Sequence, residues 1–234
     1  MVLTHTVTLD ILYQVKHSEF SMSKPKQSPM MRQLYGETIA EAVYNRCQQM
    51  GEDFNKRVQE YVYDTIWGGN NIIDLFDKSL VTIVSLIISG KAEQLKIHFW
   101  GFLNQGGNPA DVKDIIFYLS EKDYNFDYDN VISILEQAEN EFTNVFGCEL
   151  NEQGRIDVHE TRLQTIIDYV ACIVVGDNEK TKHCIKQALQ KCQLSESEMK
   201  IIAQHAAVYC GFPVEMNALA VFCELENASI EPFS

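Results

Sequence analysis

The sequence predicts an all-α protein in which one helical unit occurs twice. Residues 77–120 align without gaps with residues 163–206, and 8 of the 44 aligned positions are identical, where chance would give roughly 3. Apolar residues along most of the chain recur with the spacing of one helix face. Beyond the first residues, the alternation and hairpin turns typical of strands are absent from the sequence. We therefore expect two tandem helical repeats that pack as a pseudo-dimer.

Two helices are predicted ahead of the repeats, after an irregular arm. Residues 1–33 alternate only weakly and then become rich in lysine, proline and serine, which is typical of a surface arm. From Leu34 the apolar spacing is helical, and Gly51 supplies a stop. A second helix follows over residues 53–67, and Gly68 begins the glycine and asparagine run that breaks it.

Four helices are predicted in each copy. Gly90 and Gly176 stand at equivalent positions and end the first helix of each copy. That first helix is almost wholly apolar in both copies, which is typical of the centre of a bundle or of an interface. The predicted helices span 77–89, 92–105, 109–121 and 127–146, then 158–175, 178–192, 195–209 and 213–226. The predicted domains are 1–65 (arm and leading helices), 66–150 (first repeat) and 151–234 (second repeat).

The composition argues against two classes of partner. The chain carries 33 acidic residues against 19 lysines and arginines, a net charge of −14, and such a surface repels nucleic acids and anionic membranes. Its longest apolar run, residues 80–88, is far shorter than the roughly 20 residues of a bilayer-spanning helix. The N-terminus lacks the features of a secretory signal, and seven cysteines without framework spacing suit a reducing compartment. We expect a cytoplasmic protein.

Short motifs in both copies give a family resemblance. They are Trp67-Gly68, Ser79-Leu80-Val81-Thr82, Glu93 to His98 and Asn104-Gln105-Gly106 in the first copy, with Tyr209 to Pro213 and Asn217-Ala218-Leu219 in the second. In order and spacing this set resembles the carboxymuconolactone decarboxylase family of the alkylhydroperoxidase-like superfamily. The resemblance implies an all-helical fold and rings of repeated units. A duplicated chain can replace two subunits of such a ring, so we expect a homo-oligomer, a trimer of tandem chains or a dimer.

The resemblance also implies a reaction. The decarboxylases of the family act on a carboxylated lactone without a metal or organic cofactor, so a proton carrier is needed near the carbon that loses CO2. His98 matches the family histidine and would be the acid or base, and Glu93 matches the family glutamate that would orient it. The expected substrate-binding residues are Lys78, Trp67, Tyr209 and Pro213. We expect them at the junction between the copies.

The chain departs from the family pattern at several of these positions. The arginines with which the family holds carboxylates have no counterpart between Gly69 and Lys78, where Lys78 is the only cation. The second copy has Cys184 in place of the histidine. Peroxide-reducing relatives carry a CxxC pair ahead of the histidine, and the absence of any CxxC from this chain excludes that mechanism as inherited. No metal site is expected, because the histidines lack ligand spacing with cysteines or carboxylates.

Three functions remain open at this stage. The first is a cofactor-independent decarboxylase or lyase that acts on a small lactone or oxo-acid, with His98 as acid or base. The second is a non-catalytic oligomeric scaffold or ligand-binding protein that kept the fold. The third is a thiol-dependent antioxidant that uses Cys184, activated by nearby lysines, with a resolving thiol elsewhere. Each residue also has a structural interpretation: His98 as a core or interface histidine, Glu93 as the partner of Lys96 in a surface ion pair, and Cys184 as an inert buried thiol.

Overall fold

The described part of the protein is helical throughout. The computed structural model describes residues 27–69, 71–122, 124–150, 160–191 and 193–230, and every regular element in these ranges is a helix, which confirms the all-α prediction. Among these helices, none combines the length and the apolar character that crossing a membrane requires. The helices are α1 (Pro29–Gln49), α2 (Glu52–Arg57, continued as a π-helix over Val58–Trp67), α3 (Leu75–Ile88), α4 (Ala92–Asn104), α5 (Pro109–Glu121), α6 (Tyr128–Phe146), α7 (Thr161–Val175), α8 (Asn178–Gln190), α9 (Glu196–Cys210) and α10 (Phe212–Ile230).

The start of α1 differs from the prediction. The helix begins at Pro29, inside the segment expected to be irregular. Ser28 caps it, because its hydroxyl oxygen accepts hydrogen bonds from the backbone N–H groups of Met30 (3.1 Å) and Met31 (3.5 Å). Proline fits the first helical position, where no backbone donor is needed. The predicted arm therefore ends earlier, and its residues 1–26 lie outside the described part of the chain.

α1 is interrupted at Gly36. This residue has φ 69° and ψ 168°, a backbone conformation that glycine adopts without the strain of a side chain. Carbonyl groups just before the interruption accept hydrogen bonds from the end of α4: Asn104 Nδ2 donates to the Leu34 oxygen at 2.9 Å, and Gln105 Nε2 donates to the Gln33 oxygen at 2.7 Å. These two side chains therefore hold the segment of α1 that carries the next residue, Tyr35.

Contacts divide the chain into two compact units. The first comprises the described residues of Met1–Asn71, Ala92–Val112 and Asp129–Arg155. Within it, α1 packs against α2, the π-helical segment and α4. The indole Nε1 of Trp100 donates to the Ala138 carbonyl of α6 at 3.1 Å, which satisfies its buried donor. The core is rich in aromatic side chains that are almost fully buried: Tyr35, Trp67, Phe99, Trp100 and Phe102.

The second unit is organised around α3. It comprises the described residues of Ile72–Lys91, Lys113–Tyr128 and Ile156–Ser234. α3 packs on α7 and α9, and its residues 78–87 are all buried, as expected for a helix that is apolar on all sides. The first helices of the two sequence copies, α3 and α7, thus pack against each other. The two units do not coincide with the two sequence copies, because each unit contains helices of the first copy. The domain boundaries near residues 65 and 150 and the pseudo-dimer stay predictions.

Replacing Gly101 with alanine should destabilise the first unit. An added Cβ would lie 2.7 Å from Tyr35 Cε1, and Tyr35 is only 1% exposed. Alanine favours a helix interior by about 1 kcal/mol relative to glycine, whereas overpacking a core costs about 1–3 kcal/mol. We expect a net loss of about 1 kcal/mol in the free energy of unfolding, measured by urea denaturation.

The double variant Gly101→Ala/Tyr35→Leu is the control for this prediction. If the clash with the Tyr35 ring causes the loss, alanine at position 101 should cost less, or should stabilise, in the Tyr35→Leu background. Equal costs in both backgrounds would contradict the proposed cause.

Candidate histidine site

His98 lies in the middle of α4 on a face that points into the first unit. Its helix neighbours Leu95, Phe99 and Phe102 are buried to 1% exposure or less, as their spacing predicts. His98 itself is half-buried. The imidazole is therefore placed at the edge of a largely apolar core, where water is mostly excluded.

Two aromatic side chains contact the His98 ring. The Tyr35 hydroxyl forms a hydrogen bond with Nδ1 at 3.1 Å. The Trp67 indole is parallel to the imidazole within 6°, with ring centroids 6.4 Å apart, an offset stacked arrangement. The structure thus brings together His98 and Trp67, both expected site residues. Sequence reasoning missed Tyr35, which lies 63 positions from His98 along the chain.

The π-helical segment positions the Trp67 side chain. Its backbone pattern is shown by the hydrogen bond from the Gly68 N–H to the Tyr63 carbonyl at 2.9 Å, which spans five residues. Tyr63 is buried in the same unit and meets Tyr35 edge-on, with ring centroids 6.1 Å apart. Such wide turns are rare and occur frequently at functional sites. Here the wide turns end at the residue that stacks on the histidine.

Burial determines the charge of His98. Because the charged form loses its hydration, the pKa of His98 falls from the ordinary 6.5 to about 3. The imidazole is therefore neutral at physiological pH and carries one proton, on Nδ1 or on Nε2. The Tyr35 hydroxyl fits both forms, since it donates to a bare Nδ1 and accepts from a protonated one. The neutral pair of His98 and Tyr35 can therefore both accept and donate a proton.

Lys96, the expected partner of Glu93 in a surface ion pair, is only 5% exposed. Its ammonium group lies 2.6 Å from Glu141 Oε2 of α6 and 5.2 Å from the centre of the Trp100 ring. The expectation of an exposed lysine is therefore wrong, because α6 covers this face of α4. Glu93 belongs to α4, but its side chain lies outside the described part of the structure.

The other expected substrate-binding residues belong to the second unit. Lys78 on α3 is 2% exposed, and burial lowers its pKa, against an opposing effect of Asp74. Tyr209 on α9 is half-buried, with its ring centroid 5.9 Å from that of His205. Pro213 at the start of α10 is exposed. Their assembly with His98 into one site stays a prediction.

A buried polar chain in the second unit was not anticipated. Thr82 Oγ1 donates to the Lys78 carbonyl at 3.0 Å and lies 2.9 Å from Nε2 of His205, which is 1% exposed. Since the hydroxyl has one proton, the His205 Nε2–H donates to Thr82. A histidine in an apolar helix face gives no sequence signal of this partner, which is 123 positions away.

Cys184 has a neighbour that the sequence did not reveal. Its Sγ lies 3.7 Å from Sγ of Cys172. Cys192, which the helix rise places too far from Cys184 for a disulfide, lies outside the described residues.

Comparison with known proteins gives a partial match. A stretch of 87 residues, 36% of this chain, is 28% identical to 4-carboxymuconolactone decarboxylase of Acinetobacter baylyi. The chain is similar to this decarboxylase. The match spans 65% of the decarboxylase, so the chain covers slightly less than two thirds of its relative's length. No protein-family model matches the chain. The similarity supports the family resemblance, and it does not identify the reaction.

Changing His98 to glutamine should flatten the dependence of stability on pH. The imidazole has a pKa near 6.5 when unfolded and about 3 when folded, so the unfolded state binds more protons between these values. The free energy of unfolding of the wild type should therefore fall as pH drops from about 6.5 towards 3, by up to about 1.4 kcal/mol per pH unit. His98→Gln lacks this contribution.

Urea denaturation of both proteins at a series of pH values would measure the difference. The matched control is His183→Gln, which changes the same residue type on an exposed part of α8. Parallel curves for the wild type and His98→Gln between pH 6.5 and 4 would show that the imidazole is not desolvated in the folded protein.

Proposed function

We propose that this protein is a cofactor-independent decarboxylase or lyase acting on a small lactone or oxo-acid, with His98 as the proton carrier. The observation that supports this proposal is the desolvated, neutral imidazole held by Tyr35 and stacked on Trp67. The partial similarity to 4-carboxymuconolactone decarboxylase supports the substrate class, a lactone that carries a carboxylate.

An anionic substrate would change the protonation of His98. In the free protein the pKa of His98 is about 3, too low for the ring to hold a second proton at neutral pH. A carboxylate beside the ring favours the charged imidazolium and raises that pKa. The ring would then acquire a proton as the substrate binds. When the carbon–carbon bond to the carboxylate breaks, CO2 leaves and the electron pair remains on the carbon, which takes the proton from His98.

The other residues have supporting roles in this proposal. Trp67 supplies a flat apolar surface beside the imidazole, and Tyr35 orients the ring through Nδ1. Glu93 would tune the histidine, and Lys78, Tyr209 and Pro213 would bind the substrate. We also propose a homo-oligomer, a trimer or a dimer, in the cytoplasm. No nucleic acid or membrane partner is part of the proposal.

A non-catalytic scaffold or ligand-binding protein is the second candidate. One observation favours it: Lys78, which would replace the missing family arginines, is 2% exposed. A dissolved carboxylate could pair with this ammonium group only after the surrounding side chains move. In that case the Tyr35, Trp67 and His98 cluster is a packing feature of the first unit, and the protein turns over no lactone.

The decisive experiment is a screen of carboxylated lactones and oxo-acids for CO2 release. With a substrate found, His98→Gln should lower kcat by about 100-fold or more, since positioned acid–base groups contribute roughly 10²–10⁴-fold. Tyr35→Phe should have a smaller effect, because the ring keeps its position but loses the partner of Nδ1. The control His183→Gln should retain full activity.

The outcome also separates the two candidates. Turnover that is unchanged in His98→Gln would exclude the histidine mechanism. No turnover of any compound, together with a single defined assembly by light scattering, would favour the scaffold.

A further inference from the structure

Two cysteines of the second unit face each other across a pair of adjacent helices. Cys172 is in the last turns of α7 and Cys184 is in the middle of α8, and these helices pack against each other. Gly176 makes the turn between them in the left-handed region, with φ 81°, which favours glycine. The two Sγ atoms are 3.7 Å apart. A disulfide bond of about 2.05 Å requires these two sulfur atoms to approach each other further.

The two thiols differ in their access to solvent. Cys172 is 3% exposed, whereas Cys184 is half-buried. A small molecule approaching from solvent therefore meets Cys184 first, and Cys172 lies behind it. This arrangement suits an entry thiol and a resolving thiol.

Hydrogen bonds converge on the Cys172 sulfur. The Tyr124 hydroxyl lies 3.7 Å from Cys172 Sγ, and Cys184 Sγ lies at the same distance from it. Burial raises the pKa of Tyr124, so its hydroxyl keeps its proton and can donate. Two donors favour the thiolate form of Cys172, and they lower its pKa while the pKa of Cys184 rises.

An acidic residue near the two cysteines has polar partners of its own. Asp168 precedes Cys172 by one helical turn and opposes the lowering of the cysteine pKa. Both of its carboxylate oxygens accept from the Tyr118 hydroxyl at 3.1 Å, and Lys122 Nζ lies 3.7 Å from Oδ2. These contacts offset part of the negative charge that faces the sulfur atoms.

We propose that Cys172 and Cys184 form a dithiol–disulfide exchange site for a small-molecule disulfide. The proposal goes beyond the function proposed above and does not rest on it, because it uses none of the residues assigned to the decarboxylation. It gives Cys184 a resolving partner that is 12 residues away rather than in a CxxC pair.

The exchange balances as two successive displacements. The two cysteines share one proton, and in the form in which this proton lies on Cys172, the Cys184 thiolate attacks one sulfur of the small disulfide. A mixed disulfide forms, the small molecule's S–S bond breaks, and its other half leaves as a thiolate that takes the proton from Cys172. The Cys172 thiolate then attacks Cys184 Sγ and releases the second half as a thiolate. Two electrons pass from the two cysteines to the small disulfide, which is reduced to one thiol and one thiolate, and the thiolate takes its proton from solvent.

The test uses the full chain in glutathione buffers of defined ratio of oxidised to reduced form. After acid quenching and alkylation, peptide mass mapping should show a Cys172–Cys184 link and the loss of two hydrogens. Cys172→Ser should instead accumulate glutathione on Cys184, because the resolving thiol is gone. Cys184→Ser should show neither the internal link nor glutathione on Cys172. The matched control, Cys223→Ser, removes an exposed cysteine of α10 and should form the link as the wild type does.

Two results would overturn the proposal. One is a stable glutathione adduct on Cys184 of the wild type without the internal link. The other is modification confined to other cysteines across all buffer ratios. The wild-type mapping alone can give either result, so the test does not depend on the folding of the serine variants.

Tyr124→Phe tests the hydroxyl as a positioning group. The pH profile of the rate at which the mixed disulfide closes should shift to higher pH, because the Cys172 thiolate loses a hydrogen-bond donor. The final linked product should be unchanged. A lowered melting temperature with an unshifted pH profile would assign Tyr124 a purely structural role and remove it from the proposed site.

Discussion

Burial of α3 on every side constrains the whole second unit. A helix whose residues 78–87 are shielded from water gains stability from partners for its polar groups, since an unpaired buried group is costly, and the Ser85 hydroxyl is one buried group without a hydrogen-bond partner among the described residues. Thr82 meets His205 of α9, and the Ser85 carbonyl lies 3.6 Å from the Cys210 sulfur. Packing against α7 and α9 supplies the apolar contacts, and these polar contacts fix the rotation of α3 about its axis.

An arginine completes this arrangement at the start of α3. Arg162 on α7 lies 2.8 Å from a carboxylate oxygen of Asp77 and 2.8 Å from one of Glu198 on α9. The same Glu198 closes the capping box of Ser195, so one carboxylate serves both the start of α9 and the ion-pair network. Asp77 has a raised pKa, chiefly through burial, which Arg162 opposes. One cation thus links the three helices that form the centre of the unit.

The His98 cluster and the pair of cysteines, which belong to different units, have different electrostatic surroundings. In the first, desolvation keeps His98 neutral, and its contacts with Tyr35 and Trp67 involve no charge. In the second, Asp168 has a raised pKa, chiefly through burial, but it keeps Lys122 and Tyr118 as partners close to two thiols. The first arrangement suits proton transfer to or from a bound anion, and the second suits sulfur chemistry.

The sequence predicted the helices and their buried faces, which depend on local periodicity. It did not predict the contacts between helices, which depend on how the helices pack side by side. Apolar spacing and glycine stops placed most helix ends within a few residues, and the buried face of α4 was correct at Leu95 and Phe99. Spacing along one helix does not say which other helix covers its face, so the pairing of Lys96 with Glu141 was missed. The contact of Cys172 with Cys184 likewise depends on how far α7 and α8 slide past each other. Motif order selected His98 and Trp67 as candidates, and their rings stack, whereas the contact of Tyr35 with His98 depends on the three-dimensional packing of α1.

The π-helix before Trp67 has a consequence for how this region tolerates changes in length. A wide turn holds one more residue than an α turn, so a one-residue deletion within Val58–Trp67 could be absorbed by the return of one turn to α geometry. The chain beyond that turn would keep its angular position, and the indole would still face the imidazole. A variant of this chain with one residue fewer in this segment would therefore preserve the same ring stack.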